Sequence, residues 1–185
     1  AYVFERRVDF PDGQAGSIGY IDCYKRGHFV LEAKQGANAP DETEADALGV
    51  ASGARKQGTA RRGTRTWQRA MKRAKEQALR YARALPPTEG WPPFLVVVDV
   101  GHCIDLYADF ARQGRAYTAF PDQGSFRVRL EELTDPAVQE RLRKVFEAPL
   151  ELDPARQSAR VTRALAKRLG TLAEQLEGKG HDPDD

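Results

Sequence analysis

Several features that would mark a secreted or membrane-bound protein are scarce in this sequence. It has only two cysteines among 185 residues, too few for a disulfide framework, so we expect a reducing, cytoplasmic location. No apolar run approaches the roughly 20 residues that a membrane-spanning helix needs. No charged and then apolar start resembles a secretory signal. These absences argue against disulfide scaffolds and against a membrane partner.

Net charge is also nearly absent, because 29 Lys and Arg residues are balanced by 27 Asp and Glu residues. The balance conceals segregation, since eleven basic residues and a single acid, Glu76, lie from Arg55 to Arg83. Such a segment is either a solvated basic face or a surface that contacts phosphate groups. Charge alone does not decide between these two interpretations.

Period-two alternation and turn residues predict three strands at the start of the chain, joined as an antiparallel meander. Helical spacing of apolar residues predicts a helix after them, capped by Thr66, and then a strand buried on both faces. A strand, helix and strand of this size form a crossover, so those two strands should be parallel. The predicted strands are 2–10, 17–24, 28–34, 92–100, 104–110 and 125–130, and the predicted helices are 67–85, 134–146 and 153–177.

These elements predict an α/β (α+β) fold in which helices flank a mixed central sheet. We divide the chain into a core, 1–133, and a helical extension, 134–185. The chain begins with Ala1 and not Met, directly before a predicted strand, so we expect a piece of a longer protein. The segment 35–64 is long for a loop, and loops of this length are usually functional or mobile.

The candidate site lies on the second and third predicted strands. Asp22 is near the end of one strand, and Glu32 and Lys34 are two residues apart on the next, so their side chains share a face. The turn between the strands brings Asp22 beside Glu32. Two carboxylates and an ammonium group therefore converge at the rim of a sheet, next to apolar residues where unpaired charges are costly.

Two neighbouring carboxylates repel each other, and a divalent cation relieves that repulsion. Hard oxygen ligands suit Mg²⁺ or Mn²⁺, and either ion can bind a phosphate oxygen and lower the pKa of a bound water. Lys34 would orient that water or stabilise charge on the phosphorane, so the set suits phosphodiester hydrolysis. The alternative is a cross-strand salt bridge of Lys34 with Glu32 or Asp22, and the spacing leaves both interpretations open.

The pattern of Asp22, nine residues, then Glu32-x-Lys34 resembles the PD-(D/E)xK nuclease motif, although the usual proline before the first acid is absent. Gln77 and Tyr81, one helical turn apart, are similar to the Gln-x-x-x-Tyr element of RecB-like members of that superfamily. In those members the two side chains face the active site. The resemblance implies a restriction-endonuclease-like core.

Longer segments resemble the N-terminal region of MmeI-like restriction-modification enzymes over nearly the whole chain. In these long single chains a nuclease domain, a helical spacer, an adenine methyltransferase and a target-recognition domain follow one another. The resemblance implies an endonuclease domain that acts on double-stranded DNA and self-associates on it, with S-adenosylmethionine bound only by domains outside this chain. The matching segments are 2–5, 19–27, 29–35 and 152–162.

Carried over position by position, the resemblance also implies site residues. Asp22 and Glu32 would be ligands of Mg²⁺, with Mn²⁺ as a substitute, and Lys34 would be the catalytic lysine. Glu5, one strand away, would add a further carboxylate. The supporting site residues are Gln35, Gln77 and Tyr81, and the DNA-contacting residues are Arg55, Lys56, Arg61, Arg62, Arg65 and Lys72.

The basic segment then connects the catalytic hairpin to the helix that carries Gln77, so we expect it near the scissile phosphate. We also expect residues 55–65 to be disordered without DNA and to contact its backbone. The rival hypothesis is a catalytically inactive module of the same fold that binds DNA or docks another domain. Metal binding that depends on Asp22 would favour the enzyme.

Overall fold

The structure, a computed structural model, describes residues 1–10, 18–36 and 60–179. Within these ranges a seven-stranded mixed sheet is accompanied by three α-helices, which confirms the expected α/β class. The strands are β1 Tyr2–Asp9, β2 Ile18–Lys25, β3 Phe29–Lys34, β4 Phe94–Asp99, β5 Cys103–Ala108, β6 Thr118–Ala119 and β7 Arg127–Arg129. The helices are α1 Arg65–Ala84, α2 Pro136–Glu147 and α3 Pro154–Lys179.

The sheet order is β1-β2-β3-β4-β5-β6, and β7 also pairs with β5. β3 and β4 are parallel, as the predicted crossover requires, and the other pairs are antiparallel. The helix of that crossover, α1, is capped by Thr64, whose side chain accepts a hydrogen bond from the Trp67 N–H at 3.2 Å. The predicted cap, Thr66, is wrong, because it lies inside the helix.

The strand β4 is buried on both faces, as predicted, because α1 covers one face of the sheet and α2 the other. On the α1 side, Leu95 and Val97 belong to a core cluster that includes Met71. On the α2 side, Phe94 packs in a second cluster with Val145, and both are completely buried. Burial of these apolar side chains on two faces holds the helices in fixed positions relative to the strands.

The packing of α2 bears on the division of the chain into two parts. Val145 of α2 shares its core cluster with Phe29 of β3, and Leu152, just after α2, is only 9 % exposed in the same cluster. The part of α3 from 160 to 175 is exposed instead. We therefore propose that the sheet-bearing unit extends through Leu152, rather than ending at residue 133, and that the extension begins with α3.

The apolar stripe of α3 has no neighbour to pack against among the described residues. Its members expose 54–65 % of their surface, and their periodicity is equally consistent with packing on a neighbouring helix or on a spacer outside this chain. No helix in the described ranges combines the length and the apolar character needed to cross a membrane. The stripe consists of Val161, Leu165, Leu169 and Leu172.

Candidate active site

The hairpin of β2 and β3 brings the two predicted metal ligands together. The two strands pair from Lys25 opposite Phe29 as far as Cys23, and the ladder stops at Asp22. There the Asp22 Oδ2 accepts a hydrogen bond from the backbone N–H of Ala33 at 2.7 Å. Asp22 is therefore fixed beside the strand segment that carries the other site residues, with its side chain exposed.

A chain of hydrogen bonds joins β3 to α1 across the site. Lys34 Nζ lies 2.5 Å from Glu32 Oε1 and donates to Gln77 Oε1 at 3.2 Å. Gln77 Nε2 in turn donates to the Tyr81 hydroxyl at 2.9 Å. The structure thus brings Gln77 and Tyr81 to the same place as Asp22, Glu32 and Lys34. It also contains a Glu32–Lys34 salt bridge, which runs along β3 and not between strands.

The approach of α1 to β2 depends on Gly19. A Cβ atom at this position would lie 2.5 Å from Tyr81 Cε1 and 2.9 Å from Phe10 Cε2, closer than real Cβ contacts allow. The rings of Phe10 and Tyr81 stack there with their centres 5.9 Å apart. A side chain at residue 19 would displace the ring of Tyr81, and with it the hydroxyl that accepts from Gln77.

Burial makes Glu32 different from an ordinary salt-bridge partner. Glu32 is 2 % exposed, and its Oε2 is buried without a hydrogen-bond partner among the described residues. Burial raises the pKa of Glu32, the hydrogen bond and charge of Lys34 lower it, and the charge of Asp22 raises it again, with a net upward shift. A buried carboxylate oxygen without a partner costs free energy, which a bound cation would offset.

The available oxygen atoms fit a hard divalent cation that needs few protein ligands. Glu32 offers Oε2, for which the described ranges contain no hydrogen-bond partner. Asp22 offers Oδ1, because the hydrogen bond from the Ala33 N–H goes to Oδ2. No group of three or more His, Cys, Asp and Glu side chains in the described ranges could hold a metal ion. Mg²⁺ usually takes one or two carboxylates and completes its shell with waters and substrate phosphate, so two carboxylates are enough.

Replacing Glu32 with glutamine should stabilise the metal-free protein at neutral pH. Because the pKa of Glu32 is raised in the fold, its contribution to stability is present below the unfolded value of about 4.3 and is lost as the pH rises through the folded pKa. In EDTA at neutral pH, Glu32→Gln should therefore unfold at a higher urea concentration than the wild type. Added Mn²⁺ should raise the wild-type midpoint and leave that of the variant unchanged.

The matched control is Glu131→Gln, which removes a carboxylate from an exposed residue. This variant should unfold at the wild-type midpoint and keep the response to Mn²⁺. A metal-free midpoint of Glu32→Gln below the wild-type value at neutral pH would contradict the claim that the ionised Glu32 destabilises the fold.

Comparison with known proteins places this site in a family. A family model described as the N-terminal domain of MmeI matches residues 2–179, nearly the whole chain. The chain belongs to this family. The MmeI N-terminal domain is the endonuclease region of MmeI-type restriction enzymes, so the resemblance drawn from the sequence is confirmed. No curated protein and no solved structure matches the chain.

At the start of α1, this MmeI N-terminal domain has a buried polar cluster centred on Asp99, which is 1 % exposed. Asp99 accepts hydrogen bonds from Arg62 Nε and Nη2, both at 2.9 Å, and from the Gly36 N–H and Trp67 Nε1, both at 2.8 Å. Burial raises the pKa of Asp99, but these bonds outweigh burial, so the net shift is downward. The cluster ties the segment before α1 to the end of β4.

Sequence reasoning missed this cluster. The available signal was an acid at the carboxyl end of the most apolar strand, where Asp99 follows the buried run of β4. An acid in that position needs a partner, because an unpaired buried charge is strongly unfavourable. The partner, Arg62, stands in a segment rich in arginine, and the local pattern does not single it out.

The predicted DNA contacts of this MmeI N-terminal domain have different surroundings. Arg62 is held by Asp99 and also donates to the Val100 carbonyl at 2.8 Å, so its geometry favours a structural role over a DNA contact. Arg55 and Lys56 lie outside the described residues, as do residues 57–59 of the segment expected to be disordered. The predicted contacts with exposed side chains are Arg61, Arg65 and Lys72.

Two other predicted residues lie at the edge of the site. Gln35 is exposed just after β3, and Glu5 is exposed on β1. Within the described ranges Glu5 does not join Asp22 and Glu32 in a three-carboxylate group suited to a metal ion. We therefore leave Glu5 out of the proposed ligand set.

Proposed function

We propose that the chain is a Mg²⁺-dependent DNA endonuclease domain that hydrolyses phosphodiester bonds, with Mn²⁺ able to replace Mg²⁺. The observation that carries the proposal is the buried Oε2 of Glu32, which has no hydrogen-bond partner in the described part of the chain and lies on the same hairpin as the carboxylate of Asp22. A salt bridge with Lys34 kept only for stability gives no reason for this oxygen to lack a partner. A cation held between the two carboxylates does give one.

The position of each side chain supports a separate role. Asp22 and Glu32 would hold the cation, which when bound neutralises charge on the scissile phosphate and lowers the pKa of a water. Lys34 is held by Glu32 and Gln77, so its positive charge is fixed in place before DNA binds. A preorganised ammonium group of this kind stabilises the negative charge that develops on the phosphate oxygens in the transition state. The Tyr81 hydroxyl accepts from Gln77 Nε2 and so orients Gln77 with its Oε1 towards Lys34.

The proposal extends to the enzyme in which such a domain works. We place the domain in the cytoplasm, in a bifunctional restriction enzyme and adenine-specific DNA methyltransferase that acts on double-stranded DNA and self-associates on it. The cofactor S-adenosylmethionine belongs to the methyltransferase part, because this sequence contains no methyltransferase motif. The family match supports the restriction role, and the unpaired Glu32 oxygen supports catalysis over an inactive docking module.

The direct test is cleavage of plasmid DNA with Mg²⁺ by an MmeI-type enzyme that carries this chain. The proposal requires that the substitution Asp22→Ala abolish cleavage while DNA binding persists. Wild-type cleavage by Asp22→Ala would show that the assigned site is wrong. Calorimetry with Mn²⁺ then separates a metal-binding enzyme from an inactive module, because only the enzyme needs metal binding that depends on Asp22.

DNA affinity should depend less on salt when the exposed basic residues before and at the start of α1 are neutralised. Each phosphate contact contributes about 0.9 to the slope of log K against log salt concentration, so Arg61→Ala with Arg65→Ala should lower the slope by about 1.8. Binding should weaken about equally for all DNA sequences, because phosphate contacts carry no base information. Fluorescence anisotropy over a salt series measures both quantities.

The control removes the same charge from a distant surface. Arg163→Ala with Lys167→Ala neutralises two exposed residues on α3 and should leave the slope unchanged. If the Arg61 and Arg65 double variant binds DNA with wild-type affinity and wild-type slope, the basic segment does not contact the phosphates.

A further inference from the structure

The ladder between β1 and β2 has a gap at a single pair of residues. The pairs on both sides of the gap keep one continuous register, so Glu5 stands opposite Asp22, but these two residues do not pair. Glu5 has a φ of 48°, in the left-handed region that residues other than glycine seldom adopt. A backbone conformation of this kind persists only where the surrounding structure imposes it.

The strand β1 turns over at Glu5. Residues two apart on a regular strand share a face, so even-numbered side chains of β1 should all point the same way. Tyr2 instead lies against Phe29, a member of the core cluster on the α2 side, with ring centres 6.2 Å apart. Val8 is buried in the cluster on the α1 side. Tyr2 therefore points to the α2 side of the sheet and Val8 to the α1 side. The change falls between them, where Glu5 has its left-handed backbone.

The strand β2 turns over at the opposite residue. Cys23 packs against the cluster on the α2 side, whereas Ile21, two positions away, is completely buried in the cluster on the α1 side. The change of face occurs at Asp22, across from Glu5. In both strands, therefore, the side chains change the side of the sheet to which they point. The register between the strands is kept because the change falls at residues that stand opposite each other.

This joint reversal explains how Asp22 reaches the site. At Asp22 the ladder to β3 has ended, and the side chain, not a ladder carbonyl, accepts the N–H of Ala33. Suppose that β1 were a regular strand at Glu5. Then either the register between β1 and β2 would shift, or β2 would also be regular at Asp22 and Ile21 would no longer face α1. In either case the carboxylate would leave the position that it now holds beside Ala33.

We propose that Glu5 is a positioning residue whose left-handed backbone, and not its carboxylate, holds β2 in the course that presents Asp22 to the cation. The part of this inference that concerns the cation rests on the proposed function. The part that concerns the position of Asp22 is independent of the proposed function, because the hydrogen bond from the Ala33 N–H to Asp22 can be measured in the absence of metal. The effect of a substitution should therefore follow the tolerance of the new residue for positive φ.

A series of substitutions at Glu5 separates backbone from charge. Glycine adopts positive φ freely and asparagine tolerates it, whereas a β-branched residue is strongly disfavoured there. Glutamine keeps the size of glutamate and removes its charge. Glu5→Gly, Glu5→Asn and Glu5→Gln should therefore keep the wild-type properties, and Glu5→Val should lose them. Arg7→Val is the control, because Arg7 is exposed on the same strand and its φ is not positive.

Two readouts are measured on each variant of this chain. The first is the hydrogen-exchange rate of the Ala33 amide without metal, which should rise at least about tenfold in Glu5→Val as the bond to Asp22 opens. The second is the Mn²⁺ affinity from calorimetry, which should fall about 10- to 100-fold in Glu5→Val, the usual effect of losing a residue that orients a ligand. Arg7→Val should match the wild type in both.

The outcomes distinguish the positioning role of Glu5 from the proposed metal-dependent function. If Glu5→Gln loses Mn²⁺ affinity, or if folded Glu5→Val protects Ala33 as the wild type does, the positioning role is wrong. If Ala33 behaves as expected but the wild type binds no Mn²⁺, the proposed function fails and the positioning role stands. If Glu5→Val does not fold, the polar β-branched variant Glu5→Thr replaces it, and Ala33 should exchange faster in Glu5→Thr than in Glu5→Gln. Equal exchange in those two variants would overturn the inference.

Discussion

Plasmid cleavage should fall about a hundred- to thousandfold when Lys34 is replaced by alanine, the usual effect of removing one preorganised group that stabilises transition-state charge. Lys34 is held by Glu32 at 2.5 Å and by Gln77 at 3.2 Å, so its charge is in place before DNA binds. The loss should appear in the single-turnover rate and not in DNA affinity, because the proposed role belongs to the transition state.

The experiment uses an MmeI-type enzyme that carries this chain, with Mg²⁺ and a plasmid substrate. Lys167→Ala is the control, because it removes a lysine from the exposed surface of α3 and should cut at the wild-type rate. Circular dichroism should show both variants folded. Cleavage by Lys34→Ala at the wild-type rate would remove Lys34 from the site, whereas a loss of DNA affinity alone would assign it to binding.

Replacing Asp99 with alanine should lower the free energy of unfolding by about 3–5 kcal/mol, the usual effect of removing one partner of a buried ion pair. The variant removes the carboxylate that accepts hydrogen bonds from the Arg62 guanidinium, the Gly36 backbone N–H and the Trp67 indole N–H. Since the pKa of Asp99 is lowered in the fold, its contribution to stability is present above the unfolded value of about 3.9 and is lost as the pH falls through the folded pKa.

Urea unfolding at neutral pH measures this effect, and a double-mutant cycle assigns it. Arg62→Ala leaves Asp99 buried without its cation, so it should also destabilise, and the double variant should be less unstable than the sum of the two single variants. Asp135→Ala, which removes an exposed helix cap, should cost only about 1 kcal/mol. A loss below about 1 kcal/mol in Asp99→Ala would show that the cluster does not hold α1 to the sheet.

The local part of the candidate site could be read from the sequence. Glu32 and Lys34 are two apart on a strand, and Gln77 and Tyr81 are four apart on a helix, so each pair must share a face whatever the rest of the fold does. The crossover that places α1 over β3 follows from the order of the elements. The sequence therefore predicts both pairs without knowledge of any long-range contact, and in the structure each pair is joined by a hydrogen bond, with a third bond linking Lys34 to Gln77.

The remaining features depend on contacts between distant residues. Arg62 and Asp99 are 37 residues apart, and only the docking of α1 on β4 makes one the buried partner of the other. The reversal of β1 and β2 was also missed, because it depends on the backbone of Glu5, which an alternating pattern does not reveal. The periodicity of α3 predicts an apolar face, but it does not show what covers that face.

The central claim is that Asp22 and Glu32 together bind a divalent cation, and crystals of this chain soaked with Mn²⁺ test it most directly. The account predicts an anomalous difference peak within coordination distance of an oxygen of Asp22 and of Oε2 of Glu32. The peak should be absent in crystals of Glu32→Gln grown under the same conditions. A wild-type map without a peak at these carboxylates at saturating Mn²⁺, or a peak that persists in Glu32→Gln, would contradict the account.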